Sequence, residues 1–169
     1  MTDPVIAFVG LGANLGDAAL TLRAAMQALG GLPRTRLVRA SHLFRTPAWG
    51  MQDQADFING VAMLQTTLGA RELLDALLDT ERQFGRERDP TQRWGPRTLD
   101  LDLLLYADAV IDVPGLRLPH PHLHERAFAL VPLLEIAPDI LIPGFGPAQA
   151  ALDGLETSAI QPLGVIIRP

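Results

Sequence analysis

Two acidic residues, Asp100 and Asp102, are the strongest candidates for chemistry in this sequence. They stand near the start of Leu99–Tyr106 (LDLDLLLY), where the alternation of apolar and acidic residues predicts a β-strand. Residues i and i+2 of a strand point to the same face, so the two carboxylates would lie side by side. A divalent cation such as Mg²⁺ would relieve their repulsion and the cost of burying them. The alternative is the solvent-facing side of an edge strand.

Arginines are concentrated just before the acidic pair, at Arg82, Arg86, Arg88, Arg93 and Arg97. Phosphoryl transfer requires cations around the migrating group, and both arginine and a metal ion can supply them. The same arginines could instead belong to a solvated loop, where they would pair with neighbouring acidic side chains. Because the run ends beside two carboxylates, the combination favours a site that handles phosphate groups.

Aromatic residues are scarce, at 5% of the chain, yet several fall in or beside predicted loops. Trp49 and Trp94 lie in two long loops, and Phe57 begins a predicted strand. A flat heterocycle is well held by stacking against such rings. Phe128 lies on a predicted helix, where periodicity alone favours the core. Asn59 is an amide in an apolar strand, so it could read the edge of a heterocycle or cap a bulge.

Two further patterns have more than one interpretation. His120, His122 and His124 alternate, which could suggest zinc ligands on an extended segment; separate roles are predicted instead, with one imidazole contacting a ligand. The glycine-rich segment Gly10–Gly16 is predicted to be a turn. It resembles a phosphate-binding loop, although tight turning alone would explain its glycines.

Composition excludes several classes of protein. The chain has 169 residues, 48% of them hydrophobic, which predicts one domain with a substantial core. A net charge of -5 argues against binding to nucleic acid or to a membrane surface. The absence of cysteine excludes disulfides, thiol catalysis and cysteine-ligated zinc. All 14 basic residues are arginines, so the lysine of a Walker A phosphate loop is missing.

The elements that must position these residues follow from periodicity and from turn signals. Their order, β-α-β-β-α-β followed by further strands and a helix, predicts an α+β sandwich of the ferredoxin-like kind. The predicted strands are Val5–Leu11, Leu37–Arg45, Phe57–Gln65, Leu99–Tyr106 and Val110–Val113; the predicted helices run from the Asp17 N-cap to Leu29, over Ala70–Phe84 and over Glu125–Ile136; the predicted loops are Thr46–Gln54 and Gly85–Thr98. The tail from Pro143 carries little pattern.

Four segments in order give the sequence a family resemblance. RWGPRTLDLD, at Arg93–Asp102, resembles the signature of the 6-hydroxymethyl-7,8-dihydropterin pyrophosphokinases. The resemblance extends to GLGANLGD near the N-terminus, to FRTPAWGMQDQADFINGV, and to LPHPHLHERAFALVPLLEIAPD. It covers roughly residues 5–140 and implies a ferredoxin-like α+β fold in three layers (α/β/α), with mobile loops over the site.

The resemblance also implies an activity. The enzyme would transfer the diphosphate of ATP to the hydroxymethyl group of 6-hydroxymethyl-7,8-dihydropterin, giving the pterin diphosphate and AMP in tetrahydrofolate biosynthesis. Asp100 and Asp102 would hold two Mg²⁺ ions that bridge the ATP phosphates. We expect a single domain over 1–169, small-molecule partners only, no nucleic acid, no membrane, a monomer, and a cytoplasmic location.

Further site residues are carried over from the family position by position. Arg86 and Arg97 match the arginines of the catalytic loop. The positions associated with nucleotide contact are Glu81, Arg88, His120 and Arg126. The positions of the pterin pocket are Thr46, Pro47, Trp49, Phe57, Asn59, Trp94 and Phe128.

Two rival functions remain at this point. A metal-dependent phosphohydrolase or nuclease would also use the acidic pair, although the charge of -5 and the aromatic loops count against a nuclease. A non-catalytic ferredoxin-like ligand-binding domain would leave the arginine-rich loop beside Asp100 and Asp102 without a purpose. Formation of AMP from ATP in the presence of the pterin would separate these possibilities.

Overall fold

The computed structural model describes residues 3–47, 55–85 and 98–163. Within them an antiparallel sheet carries helices on both of its faces. The strands are β1 (Val5–Ala13), β2 (Thr35–Ala40), β3 (Phe44–Thr46), β4 (Phe57–Thr66), β5 (Asp100–Tyr106), β6 (Ile111–Val113), β7 (Leu116–Leu118), β8 (Leu141–Ile142), β9 (Gly146–Pro147) and β10 (Gln161–Pro162). The helices are α1 (Ala18–Gly30), α2 (Ala70–Gln83), α3 (Ala127–Ile136) and α4 (Ala148–Asp153), with a 3₁₀ turn at Leu123–Glu125.

The main sheet has the strand order β10-β3-β4-β1-β5, and β2 pairs with β4 beside β3. All of its described pairings are antiparallel. The central strand β1 pairs along its length with β4 on one side and with β5 on the other. Two-stranded sheets are formed by β6 with β7 and by β8 with β9. The ferredoxin-like α+β class predicted from the element order is confirmed.

The alternation of side chains along β1 divides the molecule into two cores. Ala7, Val9 and Leu11 belong to the core under α1 and α2. Phe8 belongs to the opposite core, which contains the buried residues of α3 and α4. Gly10 and Gly12 follow Phe8 on that second face, where they leave the sheet surface without side chains. The helices therefore form two outer layers with the sheet between them.

Local signals explain the first two helices. The side chain of Asp17 accepts a hydrogen bond from Leu20 N at 3.1 Å, which confirms the predicted N-cap of α1. In α2, Leu73 and Leu77 are fully buried at i, i+4 spacing, while the opposite face carries charged residues. At its start the side chain of Glu72 accepts from Gly69 N at 2.9 Å.

Helix α3 is apolar on most of its surface because it packs on both the sheet and α4. Two contacts attach its end to the β2–β3 segment. Arg39 donates to Ile136 O at 3.0 Å, and His42 N donates to the carboxylate of Glu135 at 2.6 Å. The predicted start of this helix at Glu125 is wrong, since the chain first makes the 3₁₀ turn and α3 begins at Ala127.

Two strand predictions need correction. The turn predicted over Gly10–Gly16 is wrong in its first half, because β1 continues to Ala13 and the positive φ of 60° falls at Gly16. The single strand predicted over Leu37–Arg45 is divided into β2 and β3. Ser41 interrupts it: its hydroxyl accepts from Val61 N at 2.9 Å, in the place of a backbone carbonyl.

The segment after Pro143, which has little sequence pattern, is nevertheless structured to Leu163. Helix α4 buries Ala148 and Ala151 in the α3 core. Strand β10 then pairs with β3 at the edge of the main sheet. Among the described residues, no helix is long and apolar enough to cross a membrane.

Candidate active site

A pocket of about 360 Å³ lies between the α3 face of the sheet and the start of α3. It is open at one side and combines acidic, aromatic and glycine residues. Its lining is Gly10, Leu11, Gly12, Thr46, Pro47, Phe57, Asn59, Gly60, Asp100, Asp102, Leu104, Arg126, Phe128 and Ala129.

The sheet register explains why distant parts of the sequence meet here. Gly12 of β1 is the direct partner of Asn59 on β4 and of Asp100 on β5. Directly paired residues of neighbouring strands point to the same face of a sheet. Asn59, Gly12 and Asp100 therefore form one row across the pocket, with Asp102 and Gly10 beginning the next row. The amide and the nearer carboxylate are separated by two strand spacings, roughly 10 Å.

The predicted placement of the acidic pair is confirmed. Asp100 and Asp102 both line the pocket, whereas Leu101 between them is 4% exposed and belongs to the opposite core. The two carboxylates are half-buried rather than fully exposed, which argues against a plain solvent-facing edge. Such a pair of hard oxygen donors suits Mg²⁺.

Two cationic or donor groups from the segment before α3 face Asp102. Arg126 Nη1 is 3.7 Å from Asp102 Oδ2, and His120 Nε2 is 3.9 Å from Asp102 Oδ1. The side chain of Arg126 is 30% exposed and that of His120 is 17% exposed. Two of the four predicted nucleotide-contact residues, His120 and Arg126, are thus brought to the acidic pair.

His120 is held in one tautomer. Burial, together with the charges of Arg126 and His122, lowers the pKa of His120 to about 4, so the ring is neutral at pH 7. Its Nδ1 accepts a hydrogen bond from the backbone N–H of His122 at 3.2 Å. Nε2 must therefore carry the ring proton, and it points toward Asp102 as a hydrogen-bond donor. None of the three histidines is in the pocket lining; His120 approaches Asp102 at its rim, whereas His122 and His124 approach Glu125.

The opposite end of the pocket carries the groups predicted for a heterocycle. Asn59 is 8% exposed, and its Oδ1 accepts from the hydroxyl of Thr46 at 2.9 Å. That bond fixes which way the amide faces, since its Nδ2 must then lie on the other side. Phe57 lines the pocket two residues before Asn59 on the same strand face, and Pro47 follows Thr46.

Phe128 completes this end from the first turn of α3. It lines the pocket, contrary to the core position that helical periodicity alone would favour. The guanidinium of Arg126 lies 5.7 Å from the centre of its ring, within the range of a cation–π contact. Arg126 thereby contacts both the acidic end and the aromatic end of the pocket.

Glu81, a third predicted nucleotide-contact residue, lies apart from His120 and Arg126. It is 3% exposed on α2, and its Oε2 accepts from Leu101 N at 2.7 Å. Leu101 stands between the two aspartates on β5, the last strand in the sheet order. In the described residues, Glu81 therefore holds the backbone that carries the acidic pair and is not part of the pocket lining.

Five predicted site residues lie outside the described residues: Trp49, Arg86, Arg88, Trp94 and Arg97. Conversely, the structure adds six residues to the pocket: Gly10, Leu11, Gly12, Gly60, Leu104 and Ala129. For Gly10 and Gly12, the signal in the sequence was their i, i+2 spacing at the end of an apolar strand. That spacing is typical of a turn as well as of a strand face without side chains.

Fold and pocket together define a class, a ferredoxin-like α+β protein with an acidic pair and an aromatic, amide-bearing end in one cleft. The family model described as 7,8-dihydro-6-hydroxymethylpterin-pyrophosphokinase (HPPK) matches residues 8–138. The chain belongs to this family. The family's reaction moves diphosphate from ATP to hydroxymethyldihydropterin in folate biosynthesis, and this chain is an ATP-dependent diphosphotransferase of that kind.

Individual relatives agree with the family model. The chain is 48% identical over 136 residues to the 2-amino-4-hydroxy-6-hydroxymethyldihydropteridine pyrophosphokinase of Pseudomonas aeruginosa, covering 80% of this chain and 83% of that one. It is 43% identical over 155 residues to the enzyme of the same name from Methylorubrum extorquens, covering 92% and 96%.

Solved structures support the fold. A crystal structure of an HPPK-DHPS protein in complex with substrates superposes with a TM-score of 0.67 at 12% identity, covering 88% of this chain. The wild-type HPPK-DHPS of Plasmodium falciparum gives a TM-score of 0.68 at 12% identity, covering 89%. The chain spans less than half of these solved chains, 43% and 41% respectively.

Proposed function

We propose that this pocket is where the diphosphate of ATP is transferred to the hydroxymethyl group of 6-hydroxymethyl-7,8-dihydropterin, with AMP leaving. The observation that carries the proposal is the row formed by Asn59, Gly12 and Asp100 on one pocket face. Asn59 stands at one end of the row, where its amide would hydrogen-bond to the heterocycle. Asp100 stands at the other end, where its carboxylate would bind the metal ion that holds the phosphates. Between them Gly12 adds no side chain to the strand surface.

The pterin would occupy the end formed by Thr46, Phe57, Asn59 and Phe128. Its ring would stack between the two phenylalanines, and its polar edge would bond to the amide of Asn59. The hydroxyl of Thr46 supports this recognition because it holds Asn59 Oδ1 in place. A fixed amide recognises one arrangement of ring donors and acceptors, and it loses little entropy on binding.

The ATP phosphates would occupy the acidic end. Asp100 and Asp102 would hold Mg²⁺, which neutralises phosphate charge and activates the phosphorus toward attack. Among the described residues, no group of three or more histidine or acidic side chains is arranged to hold a metal ion. Two carboxylates fit Mg²⁺ in this setting because the ion usually completes its shell with phosphate oxygens and water.

Side chains near the acidic pair would then complete the phosphate site. Arg126, which lies 3.7 Å from Asp102 and 5.7 Å from the ring centre of Phe128, would contact a phosphate oxygen bound at this end. His120 would donate from Nε2 to a phosphate oxygen; it is not arranged as a general base, because Nδ1 already accepts a hydrogen bond. Arg86 and Arg97 are proposed to contact the β-phosphate region during transfer, and Arg88 to contact the nucleotide.

The reaction balances without a covalent enzyme intermediate. The pterin hydroxyl oxygen forms a bond to the β-phosphorus of ATP as the bond from that phosphorus to the α-phosphate bridging oxygen breaks. AMP departs with that oxygen, and the hydroxyl proton is released. The chain supplies position and charge rather than a nucleophile of its own, as is general for phosphoryl transfer.

Several wider assignments accompany this proposal. We propose one catalytic domain over residues 1–169, active as a monomer in the cytoplasm, with Trp49 and Trp94 adding to the pterin pocket. ATP and the pterin are its small-molecule partners, and no nucleic acid or membrane takes part. The net charge of -5 supports the exclusion of nucleic acid.

The test uses carboxamide variants of one strand. Asp100→Asn and Asp102→Asn keep side-chain size while removing charge, and each should lower AMP formation at least ~100-fold. Asp108→Asn, an exposed carboxylate in the turn after the same strand, is the control and should stay within about 2-fold of wild type. Wild-type-like rates in both pocket variants would refute the assignment of the acidic pair.

A further inference from the structure

Gly12 occupies the centre of the proposed site, with Asn59 on one side and Asp100 on the other. Its backbone does not require glycine, since it lies within β1 and is not among the residues with positive φ. Any requirement for glycine at this position must therefore come from the space that a side chain would fill.

That space is already taken by the amide of Asn59. A Cβ atom on Gly12 would stand 2.8 Å from Asn59 Nδ2, and the next described atom, Ile58 O, is 3.9 Å away. Ordinary contact between such atoms begins near 3.5 Å, so the amide would have to move by roughly 0.5 Å or more. The crowded atom is the end of a side chain rather than backbone, so the side chain would yield and the sheet would not.

The amide is not free to yield without consequence. Its Oδ1 accepts from the buried hydroxyl of Thr46 at 2.9 Å, while its Nδ2 lies over Gly12. Asn59 is thus held from both sides, by a hydrogen bond at one end and by close packing on a bare strand at the other. A methyl group on Gly12 would displace the amide from β1, on the side opposite Thr46, and would distort the hydrogen bond that fixes its orientation.

We infer that Gly12 is a positioning residue for pterin recognition: the missing side chain lets the Asn59 amide lie flat against β1, in the orientation that reads the pterin edge. The inference rests on the proposed pterin site. It assigns to Gly12, the first glycine of the GANLG segment, a role in heterocycle recognition rather than in binding phosphate or in turning the chain.

Gly10 offers a matched comparison on the same strand and face. Among the described residues, the three atoms nearest to a Cβ atom there all belong to the side chain of Leu104, at 3.4–3.6 Å, which is ordinary packing distance. Gly10→Ala therefore adds the same methyl group two residues away, where its nearest neighbours are atoms of Leu104 rather than the amide of Asn59.

The experiment is a double-mutant cycle on pterin affinity. Binding of 6-hydroxymethyl-7,8-dihydropterin, with α,β-methylene-ATP present to block transfer, is measured by calorimetry for wild type, Gly12→Ala, Asn59→Ala and the double variant. We expect Gly12→Ala to weaken pterin binding about 10- to 100-fold, as for a buried polar contact that is lost. The double variant should be within about 3-fold of Asn59→Ala, because the methyl group then has nothing to displace. Gly10→Ala should show a loss several-fold smaller than Gly12→Ala.

Affinity for α,β-methylene-ATP alone should change less than about 3-fold in Gly12→Ala. Additive losses in the double variant, an ATP loss as large as the pterin loss, or wild-type pterin affinity in Gly12→Ala would each overturn the inference. If Gly12→Ala fails to fold, recovery of the fold in the double variant supports the clash with Asn59, and failure of both overturns it. Absence of pterin binding by the wild type would instead refute the proposed function itself.

Discussion

Replacing Glu81 by alanine tests whether this buried carboxylate serves the strand or the nucleotide. Its Oε2 accepts from Leu101 N at 2.7 Å, and both residues are buried. In the variant that backbone N–H loses its acceptor at the edge strand β5, next to both Asp100 and Asp102. The expected consequence is a less stable fold and a loosened acidic pair.

The magnitude follows from the type of bond. A hydrogen bond to a charged group contributes about 1.5–3 kcal/mol, and a buried donor without a partner costs a similar amount. These two figures describe the same interaction and are not added, so Glu81→Ala should lower the free energy of unfolding by ~2–3 kcal/mol. For a chain of this length that is a fall in Tm of roughly 5–10 °C. Glu81→Gln keeps an acceptor oxygen and should lose less than half as much.

Guanidinium denaturation followed by circular dichroism measures the stability, and calorimetry with ATP measures the affinity. Positioning by Glu81 predicts lower stability, a higher Mg²⁺ concentration for half-maximal activity, and ATP affinity within about 3-fold of wild type at saturating Mg²⁺. Unchanged stability together with a large loss of ATP affinity would refute this reasoning and make Glu81 a nucleotide ligand.

Other variants address the remaining groups of the site. Asn59→Ala should weaken pterin binding by about 1–3 kcal/mol while ATP binding changes little; equal losses by calorimetry would contradict its place in the pterin pocket. His120→Gln retains a donor near the position of Nε2 and should keep more activity than His120→Asn. Nitrogen NMR shifts of the wild-type ring should show the proton on Nε2 near pH 7; a proton on Nδ1 would contradict the assigned tautomer. Arg86→Ala and Arg97→Ala should slow single-turnover transfer with ATP affinity nearly unchanged; the reverse pattern would make them ground-state binders.

The sequence was sufficient wherever one local pattern determined the outcome. The N-cap at Asp17, the i, i+4 leucines of α2 and the shared face of Asp100 and Asp102 depend only on nearby residues. The family motifs then connected segments that are far apart in the chain. The fold class followed from the order of the elements, because strands and helices in that order have few compact arrangements.

What the sequence did not reveal depends on contacts between distant segments. The hydroxyl of Ser41 accepts a hydrogen bond from Val61 N and interrupts a predicted strand, and no nearby sequence pattern predicts that bond. The pairing of β10 with β3 is a contact across most of the chain. Glu81 matched a family position, but its burial against Leu101 is visible only when α2 and β5 are packed together. The role inferred for Gly12 likewise depends on a contact between strands, with Asn59 on β4.

The most direct test of the central claim is to identify the phosphorus-containing products. Purified wild-type protein is mixed with ATP, Mg²⁺ and 6-hydroxymethyl-7,8-dihydropterin, and phosphorus NMR follows the reaction. Transfer at the β-phosphorus predicts AMP and a pterin diphosphate in equal amounts, with neither formed when the pterin or Mg²⁺ is omitted. ADP with a pterin monophosphate, ADP with inorganic phosphate, or AMP formed at the same rate without the pterin would contradict the account.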